Sequence, residues 1–593
     1  MEDRGRSSRT YENRRTYGKS QERRPSDNHP PRRQRTPAER ARMRRRRKRQ
    51  RMIRFVLLII LIIAAIAGII LWKRYSPSKE QYDMKKYYGI EKDGQVGITV
   101  DNKVVEAEGK LAGGKVYVAY NIVRDYINSR FYWDANEEIL VYTLPEEIVK
   151  SDETTVDEDG KKILYRDGDA VYLSLALIQQ YTDVRLQAYD GEAQKRVFVE
   201  NNWDPVTVAD AAWSAKIRLR GGLKSPIVTE IKRGGTVTVL EQYDNWARVM
   251  TPDGHIGYMH KWKMKNLHEE TLKSDFTAPV YQNISLDQKI VMVWHQVTIA
   301  AANQAMDSLI AKTKGVNVIA PTWFTLSSNS GAYESLADKS YVDRAHEKGL
   351  QVWAVLDNFS RECSKNVQAE VLLSRTSVRE KLIENMMTEA DRYGFDGINL
   401  DFESLKTAAG VHYIEFIREL SVSCRKKGLV LSVDNYVPAV YNRFYNQKEQ
   451  GNVADYVIIM GYDEHYAGGE AGSVSSIGYV ENGIKDMLFL VPKEKVINAV
   501  PFYTRLWTGS GDNASSRAMG ISEATKWVSE SGMDLTWDDS AGQYYGRLDS
   551  QNGEQQLWME ETRSLGLKMD LIKKYDLAGV AGWRLGLETS DVW

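Results

Sequence analysis

Glu403 and Asp401 stand two residues apart, two beyond Asn399, in the octapeptide Asp396-Gly397-Ile398-Asn399-Leu400-Asp401-Phe402-Glu403. A β-strand sends residues two apart to the same face. On a strand, Asn399, Asp401 and Glu403 therefore point one way and Ile398, Leu400 and Phe402 the other. Two carboxylates beside an amide are costly to bury without a partner or a task. Carboxyls held in unequal environments are what general acid chemistry on a glycosidic bond requires. The competing reading is a strand end whose acids are solvated or salt-bridged, and an isolated Asp-x-Glu fits that reading better.

The elements that must position these acids are legible on both sides. An amphipathic helical pattern precedes them, with Val378, Leu382, Ile383, Met386, Met387 and Ala390 on one face. From about Lys289 onward, buried-strand runs alternate with helical stretches. The strand candidates are Ile290–Trp294, Val316–Pro321, Gln351–Leu356, Gly394–Phe402, Val430–Asn435, Tyr456–Tyr462, Val496–Phe502 and Gly579–Leu585. Eight such runs predict an α/β fold, a (β/α)8 TIM barrel, with the active site at the C-terminal ends of the strands. The final helix is nearly absent, because only Gly586 to Trp593 follows the eighth run.

Three strand ends carry a family resemblance. The octet resembles the signature Asp-Gly-x-Asp-x-Asp-x-Glu of glycoside hydrolase family 18, the chitinase-like family. The sixth strand ends in Met460-Gly461-Tyr462-Asp463, similar to that family's Met-x-Tyr-Asp. The eighth ends in Gly582-Trp583-Arg584, with a tryptophan where the family floors its sugar subsite. The resemblance covers about half of the chain. It implies substrate-assisted retention, an exception to the two-carboxylate scheme. Glu403 is then the general acid and base. The substrate's own 2-acetamido oxygen attacks the anomeric carbon, Asp401 orients the acetamido group, and Tyr462 hydrogen-bonds it. Asp396, Asn399, Met460, Asp463 and Trp583 are the implied substrate-binding residues. No cofactor and no metal ligand is expected.

Two departures stand out. Asn399 replaces an acid that many chitinases carry, although Asn here is familiar in the spore and cell-wall lytic branch of the family. An amide can hydrogen-bond Asp401 but cannot share a proton, so the pH profile is in question. The third strand ends in Leu356-Asp357-Asn358 rather than the Ser-x-Gly-Gly of secreted chitinases. Both point away from crystalline chitin. His295, His465, Trp294, Trp323, Trp353 and Trp507 lie near strand ends; each could touch a glycan, or serve as an internal hydrogen bonder or packing group.

The rest of the chain concerns delivery. Residues 1–54 hold 21 Lys/Arg against 6 Asp/Glu, although the whole chain carries only +1. This basic arm is poor in apolar residues and is expected to be disordered. Phe55 to Trp72 is an unbroken apolar run of 18 residues. At about 1.5 Å per residue it comes close to spanning a bilayer core. The flanking arginines predict a cytoplasmic N-terminus and an extracellular remainder. A cleaved signal peptide is disfavoured, because no small-x-small site follows the run. The arm's charge acts as a topology determinant or a lipid contact; no nucleic-acid motif accompanies it. Two cysteines, Cys363 and Cys424, exclude a disulfide framework.

Residues 73–88 read as a stalk. Residues 89–203 read as tandem α+β repeats, opened by Val116-Tyr117-Val118 and by Val171-Tyr172-Leu173, each running strand, helix, strand, turn, strand. They resemble the repeats of copper amine oxidase N-terminal-like domains, without a His cluster, which implies spacing or wall contact. Residues 210–268 are short alternating strands punctuated by glycine, as in a small β-barrel. Their order resembles a bacterial Src-homology-3-type domain, which implies binding of peptidoglycan peptides. Residues 286–593 form the catalytic barrel. The expected activity is cleavage of β-1,4 bonds in an N-acetylated glycan, peptidoglycan or chito-oligosaccharide. The rival is a non-catalytic carbohydrate-binding wall tether on the same barrel, which the presence of Glu403 opposes.

Overall fold

The computed structural model describes residues 36–191, 194–509, 514–551 and 553–593, so residues 1–35 of the expected basic arm lie outside the described residues. The chain divides into two compact units, Met1–Lys79 and Glu80–Trp593.

In the first unit a single helix runs from Pro37 to Tyr75. By length and composition its apolar part suffices to cross a membrane. The helix starts well before the apolar run, so the disorder expected of the arm does not extend over 37–54. The reason is local: this stretch is dominated by Arg, Ala, Met, Lys and Gln, all strong helix formers, and Pro37 occupies a first-turn position where its missing N–H costs nothing.

In the second unit, the barrel strands are β1 (Ile290–His295), β2 (Val318–Pro321), β3 (Gln351–Asp357), β4 (Gly397–Asp401), β5 (Val430–Tyr436), β6 (Tyr456–Met460), β7 (Val496–Pro501) and β8 (Gly579–Trp583). All are parallel, and β8 pairs with β1 to close the ring. Closure is tight at Gly579, where a Cβ would lie 2.1 Å from the Ile290 carbonyl oxygen. Two apolar layers follow from the period of two. Ile398, Leu400 and Phe402 pack outward against the helices. Met292, Trp294, Val355, Ile458 and Ala499 fill the interior. The helix α1 (Thr376–Tyr393) leads into β4 and α2 (Gly410–Lys427) leaves it.

The span between β7 and β8 holds more than a helix. Strands Tyr503–Thr508, Ser515–Gly520, Leu535–Asp538, Gln543–Ser550 and Gly553–Met559 make a five-stranded antiparallel sheet. The barrel pattern alone gave no sign of it. After β8 only a short turn of helix, Ser590–Val592, remains. Both cysteines are free thiols.

The repeat region shows the expected element order, but its two copies differ in pairing. Lys115–Ala119 and Ala170–Ser174 lie side by side in a seven-stranded sheet, whereas Tyr132–Asp134 and Ile139–Thr143 form a separate three-stranded sheet with Ile148–Ser151. The small β domain is a seven-stranded antiparallel sheet spanning Val206 to Glu270 around Ile217, Val237, Ala247, Val249 and Met259. The expected stalk is shorter than 73–88. Gln81 bridges Ile227, Tyr87 donates to the Ile256 carbonyl at 2.8 Å, and Tyr88 is buried. Aromatic residues near a sheet edge bury rather than remain in a free linker.

The repeat region is built into the barrel wall. Asp134 Oδ2 accepts from Thr376 N at 2.6 Å and from Thr376 Oγ1 at 2.7 Å, capping α1 from another domain. Thr143 donates to Glu415 on α2 at 2.7 Å. Removing a cap costs about 0.5–2 kcal/mol, and burial of Asp134 puts Asp134→Ala at the upper end. The expected result is a lower melting midpoint for the barrel, checked by calorimetry on the full chain.

Candidate active site

The acids of the octet arrive at the mouth of the barrel as the period of two requires. Asn399 and Asp401 point inward and are 0% and 7% exposed. Glu403 lies two residues past the strand on the same side, half-buried. Its backbone is clamped by Asn358 of the β3 loop: Glu403 N donates to Asn358 Oδ1 at 2.9 Å, and Asn358 Nδ2 donates to the Glu403 carbonyl at 3.0 Å. Ser404 then takes a positive φ of 56°, which turns the chain away and leaves the carboxyl facing the mouth.

Tyr436, at the end of β5, donates to Glu403 Oε2 at 2.8 Å and accepts from Ser404 N at 3.2 Å. Burial pushes the Glu403 carboxyl above its ordinary value; Tyr436 opposes that, and the charges of Asp463 and Asp357 add to it. Asp401 is raised well above the ordinary range, first by burial and then by Glu403, Asp434 and Asp357. Its Oδ1 is buried with no hydrogen-bond partner among the described residues. A carboxyl raised by burial, with a second poorly solvated carboxyl beside it, suits proton donation to a leaving oxygen.

The Tyr436 contact gives a signed prediction. Its hydroxyl favours the ionised form of Glu403, so Tyr436→Phe raises the carboxyl further. A hydrogen bond to a charged group is worth about 1.5 kcal/mol or more, which is about one pH unit. The limb on which Glu403 loses its proton therefore moves to higher pH by about that amount, measured as the pH dependence of kcat/KM.

Other sequence-predicted residues divide. Tyr462 is buried beside the acids, its ring 6.2 Å from that of Tyr503. Met460 sits beneath it in the interior layer. Asp463 accepts from Tyr503 at 2.6 Å and lies 3.8 Å from Arg505. Trp583 edges onto Trp294 with ring centroids 5.8 Å apart. Trp583 and Asp401 line a cleft of about 560 Å³ together with Gln296, Thr298, Phe359 and Arg361.

Asp396 does not belong here. It precedes β4 at the opposite end of the barrel, where Oδ2 accepts from Val352 N and contacts His346 Nε2, both at 2.8 Å. Five residue steps of strand, at about 3.3 Å each, separate it from Asp401. It clamps the strand entry, away from the acids at the mouth. Asn399 also differs from expectation. Its amide donates to Ser432 Oγ at 3.0 Å and Asp434 Oδ1 at 2.9 Å, and accepts from Trp294 Nε1 at 2.9 Å. Neither N–H is left for Asp401.

The remaining aromatic candidates are internal. Trp294, Trp323, Trp353 and Trp507 are all fully buried. Trp323 donates to Asn303, Trp353 to Gln351 and Trp507 to the Gly472 carbonyl. His295 is buried against Tyr341, and burial, reinforced by Arg584, lowers it to about 4. His465 bonds the Glu470 carbonyl near the surface. Sequence reading missed Asn358, Tyr436 and Asp434. Their only signal is position at the ends of β3 and β5.

Parts of the chain are similar to known proteins. Residues 357–588 match the family described as Glycosyl hydrolases family 18, and residues 213–265 match the Bacterial SH3 domain. The cortical fragment-lytic enzyme of Bacillus subtilis is 27% identical over 248 residues, 40% of this chain and 58% of that protein. An uncharacterized glycosylase of the same organism is 25% identical over 290 residues, 47% of this chain and 83% of that protein. The chain thus spans little more than half the length of the first of these relatives. Among solved structures, a chitinase from Chromobacterium violaceum is 22% identical, with a TM-score of 0.47 over 52% of this chain and 97% of that one.

Proposed function

We propose that this chain, whose residues 357–588 form a family 18 domain, is a membrane-anchored glycosidase. It cleaves β-1,4 bonds beside N-acetylglucosamine, and its substrate is peptidoglycan. The observation that carries the reading is the pairing at the end of β4: Glu403, hydrogen-bonded by Tyr436 at 2.8 Å and raised by burial, next to a buried Asp401 with an unpaired oxygen.

Glu403 protonates the glycosidic oxygen as the bond to the anomeric carbon breaks. The substrate's 2-acetamido oxygen forms the new bond to that carbon, giving an oxazolinium ion. Asp401 accepts the acetamido N–H with its free oxygen and offsets the positive charge. Tyr462 holds the acetamido oxygen. Glu403, now a carboxylate, takes a proton from water as the water oxygen bonds to the anomeric carbon and the bond from that carbon to the acetamido oxygen breaks. An internal nucleophile supplies the effective molarity that a second enzyme carboxylate supplies elsewhere. Trp583 presents an aromatic face to the sugar bound in the cleft.

Peptidoglycan is favoured over chitin by the surroundings. The apolar part of the Pro37–Tyr75 helix serves as the anchor, with the basic side cytoplasmic and the barrel outside. The small β domain exposes Trp213, Tyr243 and Trp262, a surface suited to wall peptides. The repeat region contains a cleft of about 510 Å³ lined in part by Tyr120, Trp133 and Asn121, suited to a second wall contact. The relative named a cortical fragment-lytic enzyme points the same way.

The test is incubation of the full chain in detergent with peptidoglycan and with chito-oligosaccharides, reading new reducing ends by mass spectrometry. New N-acetylglucosamine reducing ends support the reading. Retained glycan binding with no cleavage of either substrate replaces it with the wall tether.

A further inference from the structure

β5 sends Ser432, Asp434 and Tyr436 to one face at every second position, and that face is the barrel interior. Asp434 is 2% exposed and Asn399 is 0% exposed. The amide of Asn399 is fully committed: its N–H groups go to Ser432 and Asp434 on β5, and its oxygen to Trp294 on β1. A carboxyl from the neighbouring strand thus lies 2.9 Å from the residue-399 side chain, at the position where the octet carries an amide in place of an acid. Asp434 interacts through space with Asp401 and Glu403 on the β4 side, with Tyr462 past β6 and with Tyr413 on α2. Asp357 on β3 faces Asp401 from the other side. These groups are acids, phenols and an amide.

We propose that Asp434 is the third carboxyl of this site, a positioning residue displaced by one strand, which acts through Asn399 and through its field on Asp401 and Glu403 to set how the three share their protons. The inference rests on the glycosidase reading for its consequence, but not for its chemistry. Carboxyls in one dry site cannot all ionise, so they titrate as a set. An amide at 399 alone would leave Asp401 and Glu403 as a pair. With Asp434 at 2.9 Å from that amide, the set has a third member that exchanges no atom with substrate. Burial pushes Asp434 up to about 8; the Asn399 hydrogen bond opposes this and the Glu403 charge adds to it.

The sign follows from like charge. Removing Asp434 as an acid takes a negative neighbour from Asp401, so Asp401 loses its proton at lower pH. Asp434→Asn keeps an oxygen for Asn399 to bond and removes only the charge. The limb of the kcat/KM profile set by Asp401 is expected to move to lower pH by about one unit. The swap Asn399→Asp with Asp434→Asn returns a carboxyl to the octet, bonded to an amide on β5, and brings the profile back toward the parent's. Ser432→Ala breaks the same network without touching a charge. It lowers the melting midpoint and leaves the limbs in place.

A second readout needs no turnover. The infrared band of a protonated carboxyl that the parent loses around pH 8 is absent from Asp434→Asn. This separates the two readings, since a chain that cleaves no glycan still reports the shared titration. An Asp434→Asn profile or infrared titration that overlays the parent's makes Asp434 a support for Asn399 only and overturns the proposal. So does a folded swap variant that stays displaced.

Discussion

Glu403→Gln is expected to lower glycan turnover by about 10²–10⁴-fold, the usual worth of a positioned general acid. The substitution is close to isosteric, and the structure indicates that it spares the fold. Tyr436 can donate to the amide oxygen as it does to Oε2, and the clamp from Asn358 is to the backbone. On the proposed mechanism, what is lost is the proton delivered to the leaving oxygen and the base that later activates water. The measurement is single-turnover cleavage of peptidoglycan fragments, with glycan affinity and melting midpoint recorded beside it. Lost turnover with retained affinity and melting assigns the acid. Turnover within a few-fold of the parent removes Glu403 from that role. Glu403 must be protonated to act, and its folded value is raised, chiefly by burial. Activity is therefore present below that raised value and lost as pH rises through it.

Glu419→Ala is expected to destabilise the barrel by about 3–5 kcal/mol, the cost of leaving a buried charge unpaired. Arg379 on α1 and Glu419 on α2 are both 0% exposed and meet in a two-pronged pair, at 2.9 Å through Nε and 2.8 Å through Nη2. Arg379 also donates to the Leu373 carbonyl at 2.7 Å and to Thr376 Oγ1 at 3.0 Å, and Tyr132 of the repeat region stacks on its guanidinium at 4.6 Å. The pair joins the helix entering the acid-bearing strand to the helix leaving it. Breaking it strands a guanidinium among acceptors already in use. The midpoint of the denaturant transition, followed by the fluorescence of the buried tryptophans, should fall accordingly. Replacing both partners with apolar residues, Arg379→Met with Glu419→Leu, should recover most of the loss, because no isolated charge then remains. If Glu419→Ala alone melts with the parent, the pair is not holding the two helices.

Local pattern carried far in this chain. The alternation in the octet placed Asn399 and Asp401 inside the barrel and Ile398, Leu400 and Phe402 outside it. The helical stripe ending at Ala390 became the buried face of α1. All eight barrel strands fall on apolar runs visible in the sequence, because a strand buried on both faces must be apolar almost throughout. Where local pattern was silent, expectation failed. The strands between Tyr503 and Met559 pair with one another in a sheet of their own, apart from the barrel strands. Residues 37–54 looked too charged to order, yet they consist of good helix formers continuous with the apolar run.

The sequence by itself determined which side chains could do chemistry at β4 and which way they face, since strand period and residue type are properties of a few consecutive residues. Only the tertiary structure decided what surrounds them. Asp396 belongs to the same octet as Glu403 but lies at the far end of the strand, because a strand's length separates what its sequence joins. Asn358, Tyr436 and Asp434 come from 33 to 45 residues away and meet the octet only through the parallel register of β3, β4 and β5. Four tryptophans near strand ends turned inward as core. A hydrogen bond across adjacent strands depends on register, and register is fixed by closure of the whole barrel.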